Sequence, residues 1–378
     1  LLDQDRRRAR RWVDGGLRGT MSAADADVLV VGLGPAGSAA AAAAAERGLT
    51  VVAIDRREQA GVPVQCAEFV PSMVAQDVDD IERVSLQPIR AMATFVESES
   101  PDVTSCFRGR MIDRRAFDAA LVAKAEAAGA VCRFATTLRC LSRDGGARLN
   151  DGTVLRARMI VGADGPRSRV GRAIGQVNAP LVETRQITVP LLAPHAATDI
   201  FLSADVPGGY AWLFPKGKRA NLGLGVDPSR RKVLKPRLEG LHRRLALEGR
   251  VGREVLGHTG GAIPVGGILD LSGRLGRVPV LLAGDAAGLT NPVTGAGISA
   301  AVISGALAGR AAASWAAGDA DAMEDYRDEV TAIFGPSIER ARQRRADLLA
   351  CYARDGLPTP AALRQGWIAY PQYWGRHA

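Results

Sequence analysis

The sequence predicts an α/β protein whose main sheet is assembled from distant parts of the chain, with a β-rich unit inserted and a helical region at the C-terminus. Three observations carry that prediction. A short apolar strand, a glycine turn and an alanine-rich helix follow one another at residues 27–48, and strand, glycine-rich loop and helix return in the same order at 276–314. Between them, residues 180–256 hold the strongest strand patterning. Beyond about residue 320 the chain reads as helices rich in arginine.

Taken in order, "DVLVVG" is a buried strand, "GLGPAG" a tight turn, and Ser38 to Arg47 a helix containing seven consecutive alanines, closed by Gly48. "LTVVAID" is the second strand and ends at Asp55. Residues 59–106 show no regular period. "MIDRRAFDAALVAKAEAAGA" is an amphipathic helix with its entry; "VCRF", "TLRCL", "ARLN" and "VLRARMIVGADG" are short strands turned at Gly145-Gly146 and Asp151-Gly152. "RQITVPLL", "TDIFLSADV" and "YAWLFPKGKRANLGLGV" form a meander with Lys216-Gly217-Lys218 at a hairpin tip, followed by a helix near 235–248. This order predicts a discontinuous Rossmann-like domain over 26–58, 107–178 and 257–318. The inserted substrate domain covers 59–106 and 179–256, and the C-terminal helical region 319–378. Residues 1–25 read as a basic arm, expected to be disordered.

Composition narrows the class. The 378 residues are 47% hydrophobic and 24% charged, ordinary for a globular protein of about two domains. No run of 18 uncharged apolar residues predicts a transmembrane helix. Five cysteines without a CxxC pair read as reduced thiols in a cytoplasmic protein, and four histidines outside any ligand cluster predict no metal. The net charge of +9, dense at Arg6–Arg8, Arg10–Arg11 and 340–345, would attract anionic cofactors, acidic proteins or lipid headgroups. With 5% aromatic residues and no nucleic-acid-binding signature, nucleic acid is not an expected partner. The oligomeric state is not readable.

The chemistry sits in the glycine loops. In the Gly32-Leu33-Gly34-Pro35-Ala36-Gly37 turn, Gly32 permits the tight turn, Gly34 lets the backbone approach a pyrophosphate, and Gly37 lets helix and strand pack closely. Pro35 and Ala36 open the helix, whose N-terminus attracts phosphate. Asp55, 18 residues past Gly37 and followed by Arg56, is placed to accept from ribose hydroxyls. This fingerprint alone does not separate FAD from NAD. In the second loop, Gly284 and Asp285 follow an apolar strand, so Asp285 could reach the ribityl hydroxyls of a flavin. Pro292 and the Gly295-Ala296-Gly297-Ile298 turn would set N–H donors against the polar edge of its ring. Asp164, in "GADGPRSRVGR", either braces the pyrophosphate loop or caps the helix starting near Ser168. Arg114 either pairs with the pyrophosphate or is an ordinary helix-entry arginine.

The set GxGPAG, RxxFD, GADGxxS and GDAAG followed by TGAGI resembles the FAD-containing superfamily of para-hydroxybenzoate hydroxylase-type monooxygenases and geranylgeranyl reductases, over about residues 27–315. The resemblance implies one FAD gripped by both loops, with NAD(P)H as a transient reductant. "PVQCAEFV" and "YAWLFP" resemble motifs of the reductase branch. Carried over, these put Cys66 near the flavin and Tyr210 and Trp212 along the substrate cavity, although core packing is the commoner fate of such aromatics. No general base can be named. Phe69-Val70-Pro71 stand where the reductases carry glycines, and Ala296 where many relatives carry an acid. On those departures the expected activity is monooxygenation: NAD(P)H, O2 and a flavin C4a-hydroperoxide would hydroxylate an aromatic group. The substrate would be a peptidyl tryptophan in quinone-cofactor biogenesis, as for the flavoprotein that matures quinohemoprotein amine dehydrogenase. Its peptide or protein would dock on a basic surface including "ERARQRR". The alternatives are a prenyl-lipid reductase and a non-enzymatic flavin-bound assembly factor.

Overall fold

The computed structural model describes residues 24–72, 81–354 and 356–375. The basic arm expected over 1–25 lies, apart from Ala24 and Asp25, outside the described residues.

A six-stranded sheet has the order Ser272–Leu275, Val278–Leu282, Ala157–Gly162, Ala26–Val31, Val51–Ile54, Val131–Arg133. All neighbours run parallel except the first pair. Its central strands are apolar on both sides, as burial of both faces requires. The helix Pro35–Ala45 packs between the helices Arg114–Ala127 and Ile298–Ala316. Alanine and glycine set that spacing. A Cβ on Gly305 would lie 2.0 Å from the Ala36 carbonyl oxygen, and one on Gly309 2.4 Å from that of Ala40. The two helices that follow the glycine loops therefore touch backbone to backbone. A small antiparallel sheet, Leu138–Leu141, Ala147–Leu149 and Val154–Leu155, adds Leu138, Ala147, Leu149 and Leu155 to the same core.

The second large sheet has the order Gly257–Thr259, Leu181–Pro190, Arg219–Val226, Ala211–Lys216, Ala197–Leu202, Ala91–Val96, Asp102–Thr104; Ala262–Pro264 also pairs with Leu181–Pro190. Both strands between 257 and 264 thus belong to this sheet. Lys216 pairs with Arg219, so the hairpin turns on Gly217-Lys218. Residues 59–106, which show no period in sequence, hold four short strands among the described residues. Phe69–Pro71 and Ser85–Ile89 flank Gly109–Ile112, while Ala91–Val96 and Asp102–Thr104 join the large sheet.

The period of two along 211–214 splits that sheet's faces. Ala211 and Leu213 share a core with Leu222, Leu224 and, from the helix Leu234–Leu247, Leu238 and Leu245. Trp212 and Phe214 face a second core with Met92, Ile200 and Leu202, closed by Leu363, Trp367 and Tyr370 of the C-terminal segment. That segment follows the long helix Ala322–Arg354. Within "ERARQRR", Arg344 and Arg345 are buried rather than displayed. Arg344 donates to the carbonyls of Gln372, Tyr373 and Gly375, and Arg345 to the Gly208 carbonyl and Asp227. These two arginines are internal fasteners, so of the run's four arginines only Arg340 and Arg342 remain exposed, and the expected docking surface is corrected to that extent. No helix among the described residues is long and apolar enough to cross a membrane.

Candidate active site

The parallel strands Ala26–Val31, Ala157–Gly162 and Val278–Leu282 are neighbours, so the loops leaving their C-terminal ends meet at one edge of the sheet, where α/β folds bind ligands. The three glycines of the first loop differ in what surrounds them. A Cβ on Gly32 (φ +101°) would lie 2.3 Å from the Ala163 carbonyl oxygen, and one on Gly37 1.7 Å from that of Gly32. Packing alone explains both. A Cβ on Gly34 would meet no protein atom within 4 Å, so the packing leaves an open cradle there. The helix behind it has no side-chain cap, and its first N–H groups are donors for an incoming anion. Asp55 is drawn inward: its Oδ2 accepts from Leu33 N at 2.8 Å and its Oδ1 from Arg57 N at 2.8 Å, which fastens the loop to the second strand. Arg56 is exposed beside it.

In the second loop, Gly284 (φ +60°) lies against Ala36, where a Cβ would sit 2.9 Å from the Ala36 Cβ. Asp285 Oδ1 accepts from Thr290 Oγ1 at 2.7 Å; burial pushes its carboxyl up, and the Thr290 bond and the charge of Arg114 pull against that. Pro292 is buried. Asn291 Oδ1 accepts from Val293 N and Thr294 N at 3.0 Å, shaping the turn through Gly295 and exposed Ala296. Gly297 precedes the helix Ile298–Ala316 with no side-chain cap, so a second set of free N–H groups faces this region. Asn178, which carries no motif, ties two loops together by donating to the carbonyls of Pro166 at 3.2 Å and Asp285 at 2.8 Å.

Of the two roles open to Asp164, the structure shows the cap: it accepts from Ser168 Oγ and from Arg169 N at 2.7 Å. Burial pushes its carboxyl up, against those bonds. Arg114 closes its fork on Asp118, with Nε–Oδ1 3.0 Å and Nη2–Oδ2 3.1 Å. Burial opposes its charge, but Cys66 and Asp118 hold the guanidinium above the ordinary arginine range.

Cys66 thus lies beside Arg114, and a polar frame that the sequence does not advertise surrounds it. Gln186 donates to the Cys66 carbonyl at 3.1 Å and accepts from Trp212 Nε1 at 3.0 Å. Buried Glu68, in left-handed backbone (φ 67°), accepts from Lys216 Nζ at 2.6 Å, Asn221 Nδ2 at 3.0 Å and Arg114 N at 3.2 Å. Tyr210 donates to the Thr294 carbonyl at 2.6 Å, joining the large sheet to the second glycine loop; burial raises its hydroxyl pKa. Gln186, Asn221 and Lys216 could have been sought as polar residues inside apolar strands, but their target, Cys66–Glu68, is more than a hundred residues away.

An open cradle at Gly34, two adjoining uncapped helix N-termini and carboxylates at the ends of two neighbouring loops fit a dinucleotide spanning both loops. The fold and this site define an FAD-dependent oxidoreductase. Residues 184–261 match the family described as geranylgeranyl reductase catalytic domain. The chain is 34% identical over 345 residues to digeranylgeranylglycerophospholipid reductase 1 of Methanopyrus kandleri, covering 84% of this chain and 89% of that one. It superposes on a geranylgeranyl bacteriochlorophyll reductase-like protein of Thermoplasma acidophilum with TM-score 0.78 and 25% identity, covering 92% and 97%. The fold is shared more widely: PqsL of P. aeruginosa, solved with 2-aminobenzoylacetate, superposes with TM-score 0.67 at 22% identity, covering 88% and 97%. The chain belongs to the geranylgeranyl reductase family.

That membership overturns the expected monooxygenase reaction and, with it, the peptidyl tryptophan substrate. The departures that favoured oxygenation have a structural explanation. Phe69 is taken up over Gly109, where a Cβ would sit 2.4 Å from its ring, and stacks on Phe107 at 5.4 Å. Ala296 is exposed. Neither departure is a sign of oxygen chemistry.

Proposed function

We propose that the protein saturates carbon–carbon double bonds in geranylgeranyl chains of a glycerophospholipid, using FAD and a transient reductant, NAD(P)H. The observation that carries this reading is the 34% identity to a digeranylgeranylglycerophospholipid reductase across 89% of that relative. Each saturation adds a hydride and a proton across one double bond. Bound FAD, once reduced, supplies the hydride.

The remaining work falls to the chain. In this reading the Gly32–Gly37 turn and its helix N-terminus hold the pyrophosphate, with Asp55 and Arg56 at the ribose side. Asp285 takes the ribityl hydroxyls, and Pro292 with the Gly295–Ile298 turn takes the ring edge. Residues 26–58, 107–178 and 257–318 supply most of this body. Tyr210 and Trp212, packed in the apolar cluster beside the second glycine loop, would form the wall along which the lipid chain runs and would exclude water. Cys66 Sγ gives up the proton. The positive charge of Arg114, beside that side chain, offsets the charge left on sulfur.

The test is to incubate FAD-loaded protein with NAD(P)H and digeranylgeranylglycerophospholipid and weigh the product. Gain of two hydrogen atoms per reduced bond is expected. Unchanged lipid under full flavin reduction, or gain of an oxygen atom, contradicts the proposal.

A further inference from the structure

We propose that Trp367, supplied by the C-terminal segment, is a specificity-determining residue that sets how long an isoprenoid chain the cavity admits; this rests on the prenyl-reductase reading above. The Trp367 ring centroid lies 4.7 Å from that of Tyr210, which lies 5.6 Å from that of Trp212. Tyr210 in turn bonds to Thr294 in the second glycine loop. Any chain that runs from the flavin-side loop along the Tyr210–Trp212 face must therefore pass Trp367 or displace it.

The segment is held in place. Arg344 fastens the carbonyls of Gln372, Tyr373 and Gly375, and Tyr370 donates to Asp102 Oδ2 at 2.7 Å. Trp367 is 3% exposed, and its Nε1 has no hydrogen-bond partner among the described residues. The indole is thus not kept for a structural hydrogen bond. What it contributes here is bulk against Tyr210, and a buried donor without an acceptor is itself unfavourable.

Three side chains of falling volume test this: wild type, W367F and W367L. Each is offered glycerophospholipids bearing geranylgeranyl chains or chains one isoprene unit longer. The readouts are the ratio of kcat/KM and the ratio of Kd, the latter followed by the flavin absorbance shift. Ratios do not depend on the folded fraction, so a merely structural role would leave them fixed. In W367L both should move toward the longer chain by about tenfold, the scale on which small volume changes alter apolar recognition. W367F should fall between and lose no protein hydrogen bond. Equal ratios across all three proteins overturn the role of Trp367 while leaving the reductase reading intact. If wild type binds both lipids and reduces neither, the reductase reading falls and the Kd ratios alone decide Trp367. If it neither binds nor reduces either lipid, both are overturned.

Discussion

Asp285 shows what a single carboxylate is asked to do at this site. Burial raises its pKa above the ordinary 3.8, opposed by Thr290 and Arg114; such a group contributes most to stability when it is neutral. That contribution is fully present below the unfolded value and is lost as pH rises through the folded value. At pH 7 the unfolded chain has released this proton, so burying the group costs the apoprotein stability; D285N, which carries no charge, should raise its thermal midpoint while weakening FAD about tenfold to a hundredfold through loss of a hydrogen-bond acceptor. Melting curves at pH 7 with and without FAD check both signs. A lower apo midpoint with unchanged FAD affinity would count against this role. For Cys66, the proton assignment predicts that C66A lowers kcat by about a hundredfold or more at unchanged FAD content; steady-state kinetics near wild-type values would remove Cys66 from the reaction.

The elements around the first loop separate packing from binding. Gly34 has open space where a Cβ would stand, whereas Gly305 has the Ala36 carbonyl oxygen at 2.0 Å. G34A should therefore fold like wild type and bind FAD at least about tenfold more weakly, while G305A should lose about 1–3 kcal/mol because the two helices must move apart. Denaturant melts of the apoproteins distinguish the two, and a destabilised G34A would refute the cradle. The first loop was legible because its turn, helix start and Asp55 are local. Gly305 and Gly309 were not, since their contacts lie more than 260 residues away and a helix rich in small residues reads as ordinary helix. Residues 59–106 were illegible for a related reason: strands of three to six residues pair with distant partners and show no period. Arg344 and Arg345 read as surface charge because sequence does not show which carbonyls approach a helix. R344A should free the segment beyond residue 360, seen as new limited-proteolysis cuts there with the rest intact; an unchanged digest would mean that other contacts suffice.

On the scale of the whole molecule, the α/β class, the inserted β-rich region and the C-terminal helices were readable from periodicity and loop chemistry. The reaction was not. Oxygenating and reducing flavoproteins of this fold share the dinucleotide loops, so those loops cannot choose between them. In the proposed reading the choice lies on the substrate side, where Cys66, Gln186, Tyr210, Thr294 and Trp367 come from separate stretches of chain and meet only in the folded protein. The central physical claim is that the two glycine loops clasp one dinucleotide. Their helices touch through Gly305 and Ala36, and Gly284 lies against Ala36, which leaves one shared rim rather than two sites. The most direct test is calorimetric titration of FAD into the apoprotein in parallel with G34A and D285N. The account predicts one FAD per chain, with both substitutions weakening that same binding event. Two independent sites, or a single site that responds to only one of the two substitutions, would contradict it.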